Sequence, residues 1–489
     1  MSKGPKLNRD VSKTRRDNLG LNSAFVAIST DLCPIINNVT PTVFYWIFFN
    51  WIYYDYKKKC NTNGERIDRK NFLMYLKQQD YYFIAGNYLA GKDMSEINGK
   101  DNIIKVLEKN ENNGRYKFDR WYLKSDFGGL NYYEPGLTRL GLITESSNSE
   151  ITFPVMTNKG EKLALEFENV IKDTEYFKKY RWKDQEDVMI PRDVLIEFGK
   201  KMNINLVGFD DVKKTFKEII TENEKLQDVI PNLFKTMQLL IYLKDQNMIK
   251  DNNSEVMRRI FFEDFSPKGK NIKITNEELI DIIRGWEVAM IRQYFTIGIE
   301  LIWNYMLIIL SEKSMNKEEW ISSVIEKSKI DKQTLNQSVE SYYESSTITF
   351  DEIQDYIKKC KSGDKESNLI NGIKIMFSVV RRLDDRNDLE NIKEYLIEGE
   401  PLSIQRFKND IKKFQKDSME AIIQHILKEY IIDRHRSIAN KKLILGRDGF
   451  YFDYDERTEI YTQLEFSDFD LQGLRLPQAY RVAERLEII

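Results

Sequence analysis

The stretch TPTVFYWIFFNWIYYDYKKK, residues 40–59, decides how the rest of the chain is read. Nine of the thirteen positions from Phe44 to Tyr56 are aromatic, and a lysine triplet follows. It could be a membrane anchor, a base-stacking platform or a core helix. A spanning helix needs roughly 20 apolar residues, and the run from Val43 to Tyr56 is shorter and broken by Asn50 and Asp55. A stacking platform scatters aromatics among basic residues on a strand face. Here the lysines come only afterwards. As a helix, Phe44, Ile47, Phe48 and Trp51 form one face and Tyr45, Phe49, Ile52 and Tyr56 another. A helix apolar nearly all round is buried among other helices. The stretch therefore predicts a core helix, with Thr40 as its cap and Pro41 in its first turn.

The same question returns at residues 283–310, IRGWEVAMIRQYFTIGIELIWNYMLIIL. This run is long enough to cross a bilayer, but Arg284, Glu287, Arg292 and Glu300 would be costly there. It predicts a central buried helix whose charges face solvent or partners on other helices.

The bulk composition agrees. With 489 residues the chain can form several domains with real cores. Lysine plus arginine (75) nearly equals aspartate plus glutamate (77), so no whole-protein field draws it to nucleic acid, although local patches can. Cys33, Cys60 and Cys360 lack metal-like spacing and an even disulfide set, which fits a reducing cytoplasm. The start, MSKGPKLNRDVSKTRRDNLG, reads as a basic flexible arm and not as a secretion signal.

Helical periodicity dominates elsewhere, and strand-like alternation is confined to residues 143–157 and 443–464. The expected fold class is mainly α: a multi-helical scaffold with an N-terminal winged-helix-like element and a small C-terminal β-hairpin. The expected divisions are a basic arm (1–20), a helical domain carrying the winged-helix-like element (21–180), a helical middle (181–415), and a long helix, hairpin and closing helix (416–489).

The winged-helix expectation rests on GGLNYYEPGLTRLGLITESSNSEITFPVMTNKGEKLALEFENV, residues 128–170. A helix opening near Pro135 leads into a polar turn, a short strand, and a second helix capped by Thr157 or Asn158. A reading helix should present basic and amide groups to DNA, with its wing on phosphate. Arg115, Lys117, Arg120 and Lys124 lie upstream, but the helix itself offers little beyond Asn131 and Arg139, and the wing carries Glu145 and Glu150. A packing or protein-binding role therefore outweighs DNA contact.

This pattern, LGLNSAFVAISTDLCPIINNVTPTVFYW near the start, and RHRSIANKKLILGRDGFYFDY with RLPQAYRVAERLEII at the end resemble a broad bacterial family. Its members look like proteins encoded in mobile genomic islands beside helicases, nucleases and other anti-phage genes. The resemblance covers the two ends better than the middle and carries no catalytic motif. It implies a component of a multi-gene defence-type system whose protein partners are encoded nearby.

Reaction chemistry is sparse. GNYLAGKD (86–93) has phosphate-loop spacing after a strand-like YYFIA, but Asp93 stands where a hydroxyl should hold Mg²⁺. His425 and His435 lie ten positions apart on one helix, about 15 Å along its axis, and cannot share a metal. Glu263 with Asp264, and Asp384, Asp385, Asp388 and Glu390, could hold Mg²⁺ for phosphoryl chemistry but read better as solvated or salt-bridged charge. Arg434, His435, Arg436, Lys441 and Lys442 form a basic cluster before the hairpin. The reading is a cytoplasmic, non-catalytic subunit without cofactor, metal or membrane that binds a partner protein, with DNA as an additional candidate ligand. The alternatives are a stand-alone DNA-binding regulator and a metal-dependent nuclease or phosphohydrolase.

Overall fold

The computed structural model describes residues 17, 19–36, 42–119, 130–145, 153–183, 188–221, 230–263, 279–363, 365–384, 402–444, 450–466 and 471–489. The fold is mainly helical with a few short strands. It comprises two compact units, each drawn from three stretches of chain. One holds residues 1–28, 258–272 and 283–472; the other holds 29–257, 273–282 and 473–489. Helix α1 (Asn22–Leu32) passes from the first unit into the second.

In the second unit the aromatic run forms α2 (Phe44–Asn63), as its all-round apolarity requires. The helix starts where the Thr42 hydroxyl accepts the Phe44 N–H at 3.2 Å, and it stops at Gly64, φ 68°. Thr40 and Pro41, the expected cap and first turn, lie outside the described residues. Every residue from Phe44 to Tyr56 except Tyr54 is buried. Phe83 of α3 (Arg69–Leu89) lies 4.9 Å from the Phe44 ring and 5.1 Å from that of Phe48. The helix also packs on α5 (Leu130–Arg139) and α6 (Asn158–Ile171), where Trp51 meets Phe167 at 5.5 Å.

Helix α4 (Lys100–Asn110) leads to β1 (Glu111–Asn112) and β2 (Arg115–Lys117), and β2 pairs antiparallel with a later strand, β5 (Met189–Pro191). Between α5 and α6, β3 (Ile143–Thr144) and β4 (Val155–Met156) pair antiparallel. Thr157 caps α6 by accepting the Gly160 N–H at 3.1 Å. Helix α5 opens at Leu130, five residues before the expected Pro135 start, and the proline lies inside it. Helices α7 (Arg192–Lys201) and α8 (Asp210–Thr221) complete this part of the unit.

The first unit is built round residues 283–312 of the helix Ile280–Glu312, whose length and composition would suffice to cross a membrane. Of its most apolar window, 83% is buried inside the protein. Glu287 and Arg292 are buried, and both are engaged, as are Arg284 and Glu300. Residues 311–350 contain the helices Lys317–Glu326, Lys332–Asn336 and Val339–Ser345, each begun by an Asn, Asp or Ser cap. Toward the end of this unit, the helix Met419–His425 continues through a π-helical segment, Ile426–Ile432, into the helix Asp433–Ile444. Strands β6 (Phe452–Asp455) and β7 (Ile460–Gln463) then pair antiparallel. The second unit closes with the helix Leu476–Arg485.

Candidate partner-binding surfaces

The helix–strand–strand–helix element of α5, β3, β4 and α6 is fastened to α2 by small residues and one amide. A Cβ on Gly136 would meet Trp46 Nε1 of α2 at 2.6 Å, and one on Gly160 would meet Asn50 Oδ1 of α2 at 3.0 Å and the Leu142 carbonyl oxygen of its own element at 2.2 Å, so only glycine allows these approaches. The buried Asn50 donates from Nδ2 to the Gly160 carbonyl at 2.8 Å. On α5 the buried residues are Leu130, Tyr133, Gly136 and Leu137. Glu134 is taken up by Arg69, which donates to both its carboxylate oxygens at 2.8 and 2.7 Å, and by the Tyr53 hydroxyl. That leaves Asn131, Tyr132, Pro135, Thr138 and Arg139 exposed on α5.

Tyr132, Val155 and Leu165 are 54%, 44% and 42% exposed, which places large apolar side chains in water on α5, β4 and α6 alike. On α6 the signal was legible. Leu163, Ala164, Phe167 and Ile171 form the buried stripe, and Leu165 falls off its phase. The sequence reasoning weighed only the charges of this element and passed over these side chains.

The upstream cations divide in two. Arg115 and Lys117 are exposed on β2, two residues apart and therefore on one face, with Tyr116 buried between them on the other. Neither has a carboxylate partner among the described residues. Arg120 and Lys124 lie outside the described residues.

The expected cationic cluster on the helix Asp433–Ile444 has mostly internal uses. Arg434 donates from Nε to the Leu19 carbonyl at 2.8 Å, and Lys442 donates to the Asp17 carbonyl at 2.6 Å. Arg436 lies 4.4 Å over the Tyr454 ring. His435 is fully buried, so it presents nothing to a partner. Its Nε2 accepts the Tyr451 N–H at 3.2 Å, and its ring lies 4.8 Å from Trp303 and 4.7 Å from Phe452. Lys441 alone of the five points freely into solvent. Sequence marks these residues as cations; it does not say that backbone carbonyls of the same chain occupy their donors.

The candidate reaction centres also resolve into structural contacts. The strand-like YYFIA lies within α3, and Gly86 is a point of helix contact, where a Cβ would come 2.7 Å from the Leu195 carbonyl oxygen. Glu263 accepts the Phe350 N–H at 2.5 Å, and Asp384 is held by Tyr343 and Lys408. Asp264, Asp385, Asp388 and Glu390 lie outside the described residues. His425 contacts Asp410 at 3.1 Å, and Tyr430 donates to the same carboxylate at 2.6 Å. Burial pushes Asp410 up, but these two hydrogen bonds outweigh it and hold the carboxyl below its usual range. Among the described residues no group of three or more His, Cys, Asp or Glu is arranged to hold a metal.

The most strongly buried charge is Asp55 on α2. The Tyr75 hydroxyl donates to it, the Trp182 indole donates at 3.0 Å, and Arg181 Nε approaches its other oxygen at 3.3 Å without hydrogen-bond alignment. Burial raises the Asp55 pKa despite the arginine. The Arg181 guanidinium lies 3.4 Å over Phe177 and 4.1 Å over Trp182. This arrangement fastens residues 176–182 to the core.

No family model, no curated protein and no solved structure matches this chain.

Proposed function

We propose that this chain is a non-catalytic subunit that binds a partner protein through the α5–β3–β4–α6 element, read as a winged-helix-like module. The observation that carries this is the exposure of Tyr132, Val155 and Leu165 on that element. Exposed aromatic and apolar groups with few charges characterise the centre of protein–protein interfaces. The module's surface chemistry suits a protein better than DNA: α5 offers one exposed cation, Arg139, and the turn after β3 carries Glu145. The basic helix Asp433–Ile444 belongs to the scaffold rather than to the contact surface, because its cations serve the chain's own carbonyls.

The resemblance in the sequence supplies the setting: a bacterial, cytoplasmic, anti-phage type assembly whose other members are encoded nearby. Co-expression with the products of adjacent genes should yield a complex that co-elutes on size exclusion. The variants Tyr132→Asp and Leu165→Glu, at exposed positions, should dissociate it while leaving the fold intact. Failure of every neighbouring product to co-elute removes the proposal.

A second reading, contact with duplex DNA, has one observation in its favour. Arg115 and Lys117 share an exposed strand face and have no carboxylate partner among the described residues. Two residues along a strand span about 6.6–6.8 Å, near twice the axial rise per phosphate of roughly 3.4 Å per DNA strand. Binding that falls steeply with salt and with Arg115→Ala plus Lys117→Ala would favour it.

A further inference from the structure

We propose that the helix Ile404–Lys413 and the turn after it form a binding surface for the phosphate backbone of duplex DNA. Spacing of three or four positions places side chains on one face of a helix. Ile404, Phe407 and Ile411 form the buried face, with the Phe407 ring 5.5 Å from Phe295 and 5.2 Å from Phe377. Gln405, Asn409 and Lys412 are exposed, and Lys413, Gln415 and Lys416 continue the exposed row through the helix end. Gln405 donates from Nε2 to Asn409 Oδ1 at 3.1 Å, so the two amides order one another on that face.

The helix's one carboxylate is turned away from this row. Asp410 contacts His425 at 3.1 Å and accepts the Tyr430 hydroxyl at 2.6 Å. His425 and Tyr430 are five positions apart, which in an α-helix would put them on different faces. The π-helical segment Ile426–Ile432, with its i→i+5 closure, brings both to Asp410. Arg406 and Lys408 are also used internally, Arg406 lying 5.1 Å over the Tyr430 ring and Lys408 binding Asp384. Lys412, Lys413 and Lys416 differ: all are exposed, and none pairs with an acidic side chain among the described residues. Of the exposed residues from 402 to 418 only Asp417 is acidic, and no large apolar side chain is exposed there.

Three lysines and three amides without an apolar centre do not make a protein interface, whose middle is aromatic and poor in lysine. They are groups that donate to phosphate oxygens and sugars. A single strand would need exposed aromatic rings to stack its bases, and this surface has none. The major groove of B-DNA admits an α-helix, whereas that of an RNA duplex is deep and narrow. The negative end of a helix favours cations in its last turn, which accounts for Lys412 and Lys413 but not for Lys416 beyond the end or for the amides before them. This helix belongs to the first unit and the Tyr132–Val155–Leu165 element to the second, so the two contacts share no residue.

The test is a salt titration of the full chain against a labelled DNA duplex of random sequence. The wild type should bind with an affinity that falls as salt rises. Lys412→Gln with Lys413→Gln and Lys416→Gln should bind more weakly, with the salt slope lowered by about 3. That variant should melt like the wild type, because all three side chains lie in solvent. Lys57→Gln with Lys105→Gln and Lys358→Gln changes the net charge equally at exposed lysines elsewhere and should bind like the wild type. No binding by the wild type, an unchanged slope in the first variant, or an equal loss in the second overturns the proposal. Loss confined to the Arg115 and Lys117 variant assigns the duplex to that strand face and overturns it as well. An RNA duplex of the same length should compete less well, and equal or better competition overturns the choice of DNA. The chain is tested alone, so failure of neighbouring products to co-elute leaves this inference untouched.

Discussion

Gly86 and Gly199 meet backbone to backbone, so that a Cβ on Gly199 would lie 2.0 Å from the Gly86 carbonyl oxygen. This contact sets how closely α3 and α7 approach, and both glycines lie within the last four residues of their helices, where glycine still forms helix less readily than alanine. The close approach compensates for that intrinsic penalty.

Gly199→Ala should therefore destabilise the protein although alanine is the better helix former. Overpacking of this kind costs about 1–3 kcal/mol, and here the obstacle is backbone rather than a flexible side chain. Urea denaturation measures it. An alanine variant as stable as the wild type would show that the two helices are not in this contact.

Arg181→Met should be more damaging at high pH than at low. Asp55 is fully buried beside Arg181, and breaking a buried pair by removing one partner costs about 3–5 kcal/mol. Burial already raises the Asp55 pKa above its unfolded value, so its folded form holds a proton more readily than its unfolded form. Its contribution is thus most favourable below the usual aspartate range and is lost as pH rises through the folded pKa. Removing the arginine moves that pKa further up and widens the window of loss. Stability of the variant, followed from mildly acidic to mildly alkaline pH, should fall more steeply than that of the wild type; parallel curves would contradict the pairing.

Replacing Arg434 and Lys442 together by alanine should loosen the start of α1. The two side chains hold the carbonyls of Leu19 and Asp17, and the Asp17 carboxylate in turn accepts the N–H groups of Leu21 at 2.9 Å and Asn22 at 3.1 Å. Loss of such a cap costs about 1 kcal/mol. Hydrogen exchange at Leu21 and Asn22 should accelerate, while exchange in α2 stays unchanged. Equal protection in wild type and variant would mean that the basic helix does not organise this segment.

His435→Phe tests the buried histidine. Phenylalanine fills the space between Trp303 and Phe452 but offers no acceptor to the Tyr451 N–H. A buried donor left unsatisfied costs about 1–3 kcal/mol. Thermal melting should fall accordingly, and an unchanged melting temperature would place the His435 ring elsewhere.

Sequence reading succeeded where one residue's chemistry had one outlet. The Phe44–Tyr56 run had nowhere to go but a core, and Thr157 could be recognised as a cap because the helix after it was periodic. It missed the start of α5, where Pro135 suggests a first turn but packing of Leu130 and Tyr133 extends the helix backward past it. It also read YYFIA as strand-like, since a short aromatic run looks alike in both states; the neighbouring turns of α3 settled it. The basic cluster at residues 434–442 was visible as charge, yet its internal bonds were not.

By itself, then, the amino-acid order determined that the fold is mainly helical and that the Phe44–Tyr56 run is core, because apolar periodicity acts over a few neighbouring residues. Only the tertiary structure decided which cations are spent on the chain's own carbonyls and which remain available, as at Arg434 and Arg139. That difference depends on groups hundreds of residues apart meeting within hydrogen-bond reach, and no local rule encodes the meeting.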